Sequence, residues 1–184
     1  LTFHYAWAFC VVEAVLVLGV TVQNPRRIST HDTMTRRLSL ALVAVMSVAN
    51  VTSVVALVHQ LLTGAVHDAG KLLLSGGSIW LTNIVVFALW YWEFDRGGPG
   101  ARAEAKYHVP DFMFPQMSDP DLAAPHWAPS FFDYLFTSFT NSSAFSPTDV
   151  LPLTRWAKAL MMAQSATSLA VVALVIARAV NILR

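Results

Sequence analysis

Four apolar stretches, each long enough to cross a bilayer, constrain this chain more than any other feature. They occupy residues 3–22, 38–62, 72–92 and 153–183. A spanning helix needs about 20 mostly apolar residues. Only 12% of the 184 residues are charged and 55% are hydrophobic, against about one-quarter charged in an ordinary soluble domain. The fourth stretch is longer than a bilayer requires, so it is expected to tilt or to project past the membrane. Aromatic residues gather where the interfaces should lie: Tyr5 and Trp7 in the first stretch, Trp90, Tyr91 and Trp92 closing the third, Trp156 opening the last. Rings of this kind favour the headgroup level.

The net charge of +1 gives no basic surface for nucleic acid. Cys10 is the single cysteine and lies inside an apolar run, so neither a disulfide framework nor a metal set follows, and no cofactor is implied. The chain begins at Leu1, which leaves room for upstream residues, another span among them. Its first stretch lacks the basic leader and small-residue cleavage site of a signal peptide.

Residues 93–129 differ in kind. They contain six of the nine prolines and six of the eleven acidic residues, a density that blocks regular helix and sheet. The expectation is an extramembrane loop hugging the surface through Phe112, Met113, Phe114 and Trp127. His108, Asp111, Asp119, Asp121 and His126 match no metal-ligand spacing and read as loop polarity. The chain therefore divides into residues 1–92 with three spans, the proline-rich loop 93–129, and residues 130–184.

That last part carries the hint of chemistry. Residues 131–140 are aromatic and long enough for about three helical turns, roughly half a bilayer. A polar run from Thr140 to Thr148 follows, broken at Pro147. Irregular polar backbone at membrane depth is tolerated only when buried in protein or lining a wet cavity. The fold class expected is an all-α membrane protein of four spanning helices, with a short re-entrant or fifth helix before the last span.

Asp149, Pro152, Thr154, Trp156, Ala157 and Lys158 follow the spacing that resembles the segment after the filter in pore domains of tetrameric potassium channels. The resemblance covers roughly the last 55 residues, with 72–92 as the outer helix. It implies a short pore helix, pore-lining residues among Asn141, Ser142, Ser143, Ala144, Phe145, Ser146, Thr148 and Asp149, and a homo-oligomer, a tetramer if channel-like. The filter departs from the family pattern: aligned on Asp149, the filter positions hold Ala144, Phe145, Ser146, Pro147 and Thr148. A potassium filter aims successive backbone carbonyls at the ion, and its glycines supply backbone angles costly for other residues. The usual potassium selectivity is not expected here. The whole chain is also similar to a family of uncharacterised bacterial inner-membrane proteins with an arginine-rich loop and a near-C-terminal segment matched by Thr140, Phe145, Thr148 and Asp149. That likeness implies a multi-pass protein of a bacterial inner (plasma) membrane and no particular activity.

Orientation adds a conflict. Residues 23–37 carry Arg26, Arg27, Arg36 and Arg37 against one acid, which the positive-inside rule places in the cytoplasm. Counting spans puts residues 93–129 on that side too, whereas a potassium-channel pore loop enters from outside. Either the rule is violated, or the loop re-enters from the cytoplasm, or residues 131–147 cross as a short fifth helix.

In the last stretch Ala159, Ala163, Ala166, Ala170, Ala173 and Ala177 form one stripe along a helix face. Small residues so spaced let another backbone approach closely, within the monomer or across an oligomer interface. Glu13 sits at the centre of the first stretch, where a carboxylate costs about 3 kcal/mol unless paired or protonated. It reads as an ion or proton site facing Asn50, Asn83 or Gln164, or as a hydrogen-bonded glutamate joining helices. Asn50 near Ser47, and Asn83 beside Thr82, read as interhelical hydrogen bonds, and His59 as interfacial. No catalytic motif occurs, so no enzyme is expected. Two functions stand: a channel-like pore-loop protein passing ions without potassium selectivity, or a non-conducting scaffold or accessory subunit whose proline-rich loop meets a partner.

Overall fold

The computed structural model describes residues 33–64, 67–104, 109–119, 121, 123–143 and 149–183. The expected first span at 3–22, with Glu13, lies outside the described residues. Three long helices dominate the rest: α1 (Thr33–Leu62), α2 (Ala69–Phe94) and, after the intervening elements, α6 (Arg155–Leu183). All three hold segments long and apolar enough to cross a membrane, namely Ser39–Leu62, Ala69–Gly97 and Arg155–Ile182.

Local chemistry sets the ends of these elements. Asp68 caps α2 by accepting the Lys71 backbone N–H at 3.1 Å, which satisfies one of the free amides of the first turn. The other end of α2 stops in a 3-10 turn, Asp95–Gly97, where Arg96 adopts φ 51° and Gly98 adopts φ 97°. Gly98 is needed twice over, since a Cβ there would fall 2.9 Å from the Glu93 carbonyl.

The proline-rich segment is more ordered than its composition suggests. It contains two short helices, α3 (Pro99–Ala103) and α4 (Pro115–Ser118), each opening with proline at its first positions. Proline costs nothing there, because the first-turn amide has no helical partner to lose. Between them, β1 (Phe112–Met113) pairs antiparallel with β2 (Leu151–Pro152), with Phe112 opposite Pro152.

The short aromatic helix is α5 (Phe131–Ser143). At its start the Ser130 backbone N–H and hydroxyl both donate to Asp133 Oδ2 at 2.7 Å, which ties the incoming chain to the first turn. At 1.5 Å per residue its 13 residues extend about 20 Å, short of the roughly 30 Å hydrocarbon thickness. α5 packs against both α2 and α6.

Both ends of this segment lie at one end of the bundle. Phe131 meets the Trp92 ring near the C-terminus of α2. After α5, the chain comes back to the same level, because β2 pairs with β1 and Trp156 at the start of α6 packs on Phe94 and Phe112. The tip of α5, by contrast, touches Met161 and Gln164, two turns down α6. The described residues 131–143 and 149–154 thus form the two arms of a hairpin that enters and leaves at the end bearing Arg36, Arg37, Arg96, Arg102, Arg155 and Lys158. The opposite end, where Arg178 donates to the Gly64 carbonyl, holds Lys71 and Arg178 among the described cations.

Two apolar clusters hold the helices. One, at the hairpin's mouth, centres on Tyr91, Trp92, Phe112 and Tyr134; the other joins Leu57, Leu72, Val171 and Val175 at the far end. In the second, Gly76 lets α2 and α6 close tightly, since a Cβ there would stand 2.6 Å from Val175 Cγ2.

Candidate functional site

The tip of α5 is embedded in polar side chains from two neighbouring helices. Gln164 of α6 is fully buried and lies at the hub. Its Oε1 accepts from the Tyr91 hydroxyl at 2.5 Å and from Asn141 Nδ2 at 2.8 Å. Its Nε2 lies within hydrogen-bond reach of the Ser138 hydroxyl at 2.6 Å, the Ser142 hydroxyl at 2.6 Å and the Ser138 carbonyl at 3.0 Å. One amide therefore ties α2, α5 and α6 together.

Asn141 adds a second tie. Its Nδ2 also donates to the Met161 carbonyl at 3.0 Å, while Ser165 Oγ donates to its backbone and side-chain oxygens at 3.1 Å. The Ser138 hydroxyl donates to the Ile84 carbonyl at 2.6 Å. These bonds run between helices that otherwise expose apolar residues, where a polar group without a partner would be costly.

Beside this network, Asn50, Asn83 and Ser168 form a shorter one. Asn50 Nδ2 donates to Asn83 Oδ1 at 3.1 Å, and Asn83 Nδ2 donates to Ser168 Oγ at 2.9 Å. α1 is linked to α2, and α2 to α6, through groups that are at least 95% buried. Asn50 Oδ1 is buried without a hydrogen-bond partner among the described residues.

The mouth of the hairpin is built on charge. Asp95, fully buried, accepts the Asp111 and Phe112 backbone N–H groups at 2.8 and 3.3 Å and the Tyr134 hydroxyl at 2.6 Å, with Arg96 Nε at 3.3 Å. Arg102 lies over the Trp92 and Tyr134 rings and donates to the Trp92 and Asp95 carbonyls at 2.6 and 2.8 Å. Burial pushes its guanidinium pKa below the ordinary value. Asp111 joins the loop to α6 by accepting from Trp156 Nε1 at 2.9 Å and from the Arg96 backbone N–H at 2.8 Å. The loop polarity at Asp111 is thus a built part of the hairpin's frame.

The residues singled out in the sequence divide as follows. Asn141 and Ser142 turn into the packed interior, and Ser143 bonds back to the Thr140 carbonyl. Asp149 is exposed at the return. Ala144, Phe145, Ser146 and Thr148 lie outside the described residues. Ala159, Ala163, Ala166, Ala170, Ala173 and Ala177 are all exposed, on the side of α6 away from the face carrying Gln164, Ser168 and Val175.

Sequence reasoning missed Tyr91, Ser138, Ser165, Asp95, Arg102 and Tyr134. The aromatic belt reading needs correction at Tyr91 and Trp92, which point into the core and are 0% and 7% exposed. Their shared signal was helical spacing: Tyr91 lies one and two turns from Phe87 and Ile84 on the face turned to α5 and α6. No protein-family model, curated protein or solved structure matches the chain.

Proposed function

We propose that this chain is a subunit of a homo-oligomeric, channel-like membrane protein in which the 131–154 hairpin is a re-entrant pore loop. One observation carries the reading: a helix too short to span is held between two long apolar helices by buried hydrogen bonds, and the chain after it returns to the end where it entered. The order of long helix, short helix and long helix is the one the potassium-channel resemblance implies. The exposed alanine face of α6 supports close contact with a second copy.

The pathway lined by this loop starts beyond Ser143, because Asn141 and Ser142 are occupied with Gln164. Without glycines at the filter positions it passes ions with no preference for potassium. The six described cations at the hairpin's end support, by the positive-inside rule, a mouth on the cytoplasmic side, the protein being a multi-pass component of a bacterial-type plasma membrane.

Purified protein in liposomes tests conduction: wild type passes monovalent ions, whereas Asp149→Ala and Ser146→Phe change the rate or block it. Identical traces for all three, equal to empty liposomes, remove the assignment. The same burial of Asn141 and Ser142 favours the second reading, a non-conducting scaffold that uses the proline-rich segment to meet a partner, and that outcome would select it.

A further inference from the structure

An open apolar groove lies between the end of α2 and the start of α6. Its walls are Phe94 on α2 and Trp156, Ala159 and Leu160 on α6, around a volume of about 510 Å³. Packing fixes those walls. The Phe94 ring stacks on Trp90 at 4.8 Å and meets the Trp156 ring edge-on at 5.4 Å, while Trp156 Nε1 donates to Asp111 Oδ1 at 2.9 Å. Clefts of this size usually carry a few polar groups that orient a ligand. These four side chains offer only the indole N–H, which Asp111 already takes.

The place of the groove along the helices narrows its occupant. Phe94 stands near the end of the Ala69–Gly97 span, and Trp156 to Leu160 open the Arg155–Ile182 span. For a bilayer fitted to these spans, the groove opens at the level where acyl chains meet headgroups. Two cations rim it. Arg155 lies one turn before Ala159 on the same side of α6, and Lys158 lies one turn from Arg155. Both are exposed, and neither side chain has an ion pair or hydrogen bond among the described residues. The first turn of α6 carries no acid. Asp111, the acid that touches Trp156, has both oxygens engaged, by that indole and by the Arg96 backbone N–H. An apolar slot below two uncompensated cations is complementary to an anion that carries a hydrocarbon chain. A soluble phosphate would leave the slot empty, and a zwitterionic lipid would leave the cations uncompensated.

We propose that this groove seats one anionic phospholipid, its phosphate on Arg155 and Lys158 and one acyl chain along Phe94, Trp156, Ala159 and Leu160. The inference rests on the membrane reading of the chain and not on the pore. Each cation near the membrane surface strengthens the hold on an anionic lipid about fivefold, so the pair gives a preference of about 25-fold over a zwitterionic one.

Quenching of tryptophan fluorescence by brominated acyl chains tests it, in vesicles of phosphatidylglycerol and phosphatidylcholine with the bromine on one lipid or the other. The difference between wild type and Trp156→Phe isolates the Trp156 signal. Flotation with the vesicles is checked first: a chain that does not float fails the membrane reading and takes this proposal with it. In the floated protein Trp156 should prefer phosphatidylglycerol about 25-fold. Arg155→Gln with Lys158→Gln should bring the preference to within about twofold of none, whereas Lys71→Gln, an exposed cation at the opposite end, should leave it unchanged. Ala159→Phe, which fills the groove and keeps both cations, should sharply reduce quenching of Trp156 by either lipid. Equal quenching by the two lipids, or a preference that survives the loss of both cations, overturns the site while leaving the membrane reading intact. A Trp156 that neither lipid quenches also overturns it, since protein then covers the groove.

Discussion

Replacing Gln164 with leucine should loosen the hairpin from the bundle at little change in volume. The glutamine makes five contacts of hydrogen-bond length, to Tyr91, Asn141, Ser142 and twice to Ser138. Interhelical hydrogen bonds in membranes average about 0.6 kcal/mol, which gives about 3 kcal/mol for the set. The Tyr91 hydroxyl, at 0% exposure, would also keep a buried proton with no acceptor, which adds to the loss. The Ser138 hydroxyl keeps its bond to Ile84, so the damage is concentrated at the α5 tip. Equilibrium unfolding in mixed micelles measures this directly, with Thr167→Val as the reference. The Thr167 hydroxyl bonds only to the Ala163 carbonyl one turn away, and its loss should stay within about 0.5 kcal/mol. Gln164→Glu should fall between, because it keeps acceptors for Tyr91 and Asn141 but sets an oxygen against the Ser138 carbonyl. A Gln164→Leu protein no less stable than Thr167→Val would refute the claim that this network holds the hairpin.

Other consequences follow from the same structure. Gly76→Ala forces a Cβ to 2.6 Å from Val175 and should cost about 1–3 kcal/mol by overpacking, whereas Gly77→Ala meets nothing within 4 Å and should be neutral or mildly stabilising in the same unfolding assay. Arg102→Ala removes two carbonyl contacts and the packing over Trp92 and Tyr134; it should unfold more readily and expose residues 131–134 to proteolysis, with Arg102→Lys rescuing little because lysine lacks the planar fork. Membrane-impermeant thiol labelling of Ala123→Cys and His67→Cys, in Cys10→Ala, should mark His67 from outside and Ala123 only after permeabilisation; the reverse pattern would invert the orientation. The Asp68 carboxyl is held below its ordinary value of 3.8 chiefly by the Lys71 backbone N–H. Its support for α2 is therefore present above pH 4 and lost as pH falls through the lowered value. Hydrogen exchange at the start of α2 should accelerate only at strong acidity, and Asp68→Asn should abolish that dependence.

The three long helices were legible because hydrophobic length is a one-dimensional property: 24 or more mostly apolar residues in a row announce a span whatever surrounds them. The short helix was legible for the same reason, as residues 131–140 simply end too soon. Composition misjudged the proline-rich loop, where Pro99 and Pro115 open helices instead of preventing them. Asn50, Asn83 and Gln164 stood out in the sequence as costly groups in apolar runs, but their partners did not. Partner choice depends on which helices touch and at what depth. Tyr91 shows this most clearly, since an aromatic near a helix end suits an interface or a core equally until its neighbours are known. The sequence by itself determined that this chain has helices long and apolar enough to cross a membrane and that something interrupts the pattern before the last of them. Only the tertiary structure decided that the interruption goes in and comes back at one end, because a return requires β2 to find β1, and Trp156 to find Asp111, across some 40 residues of chain.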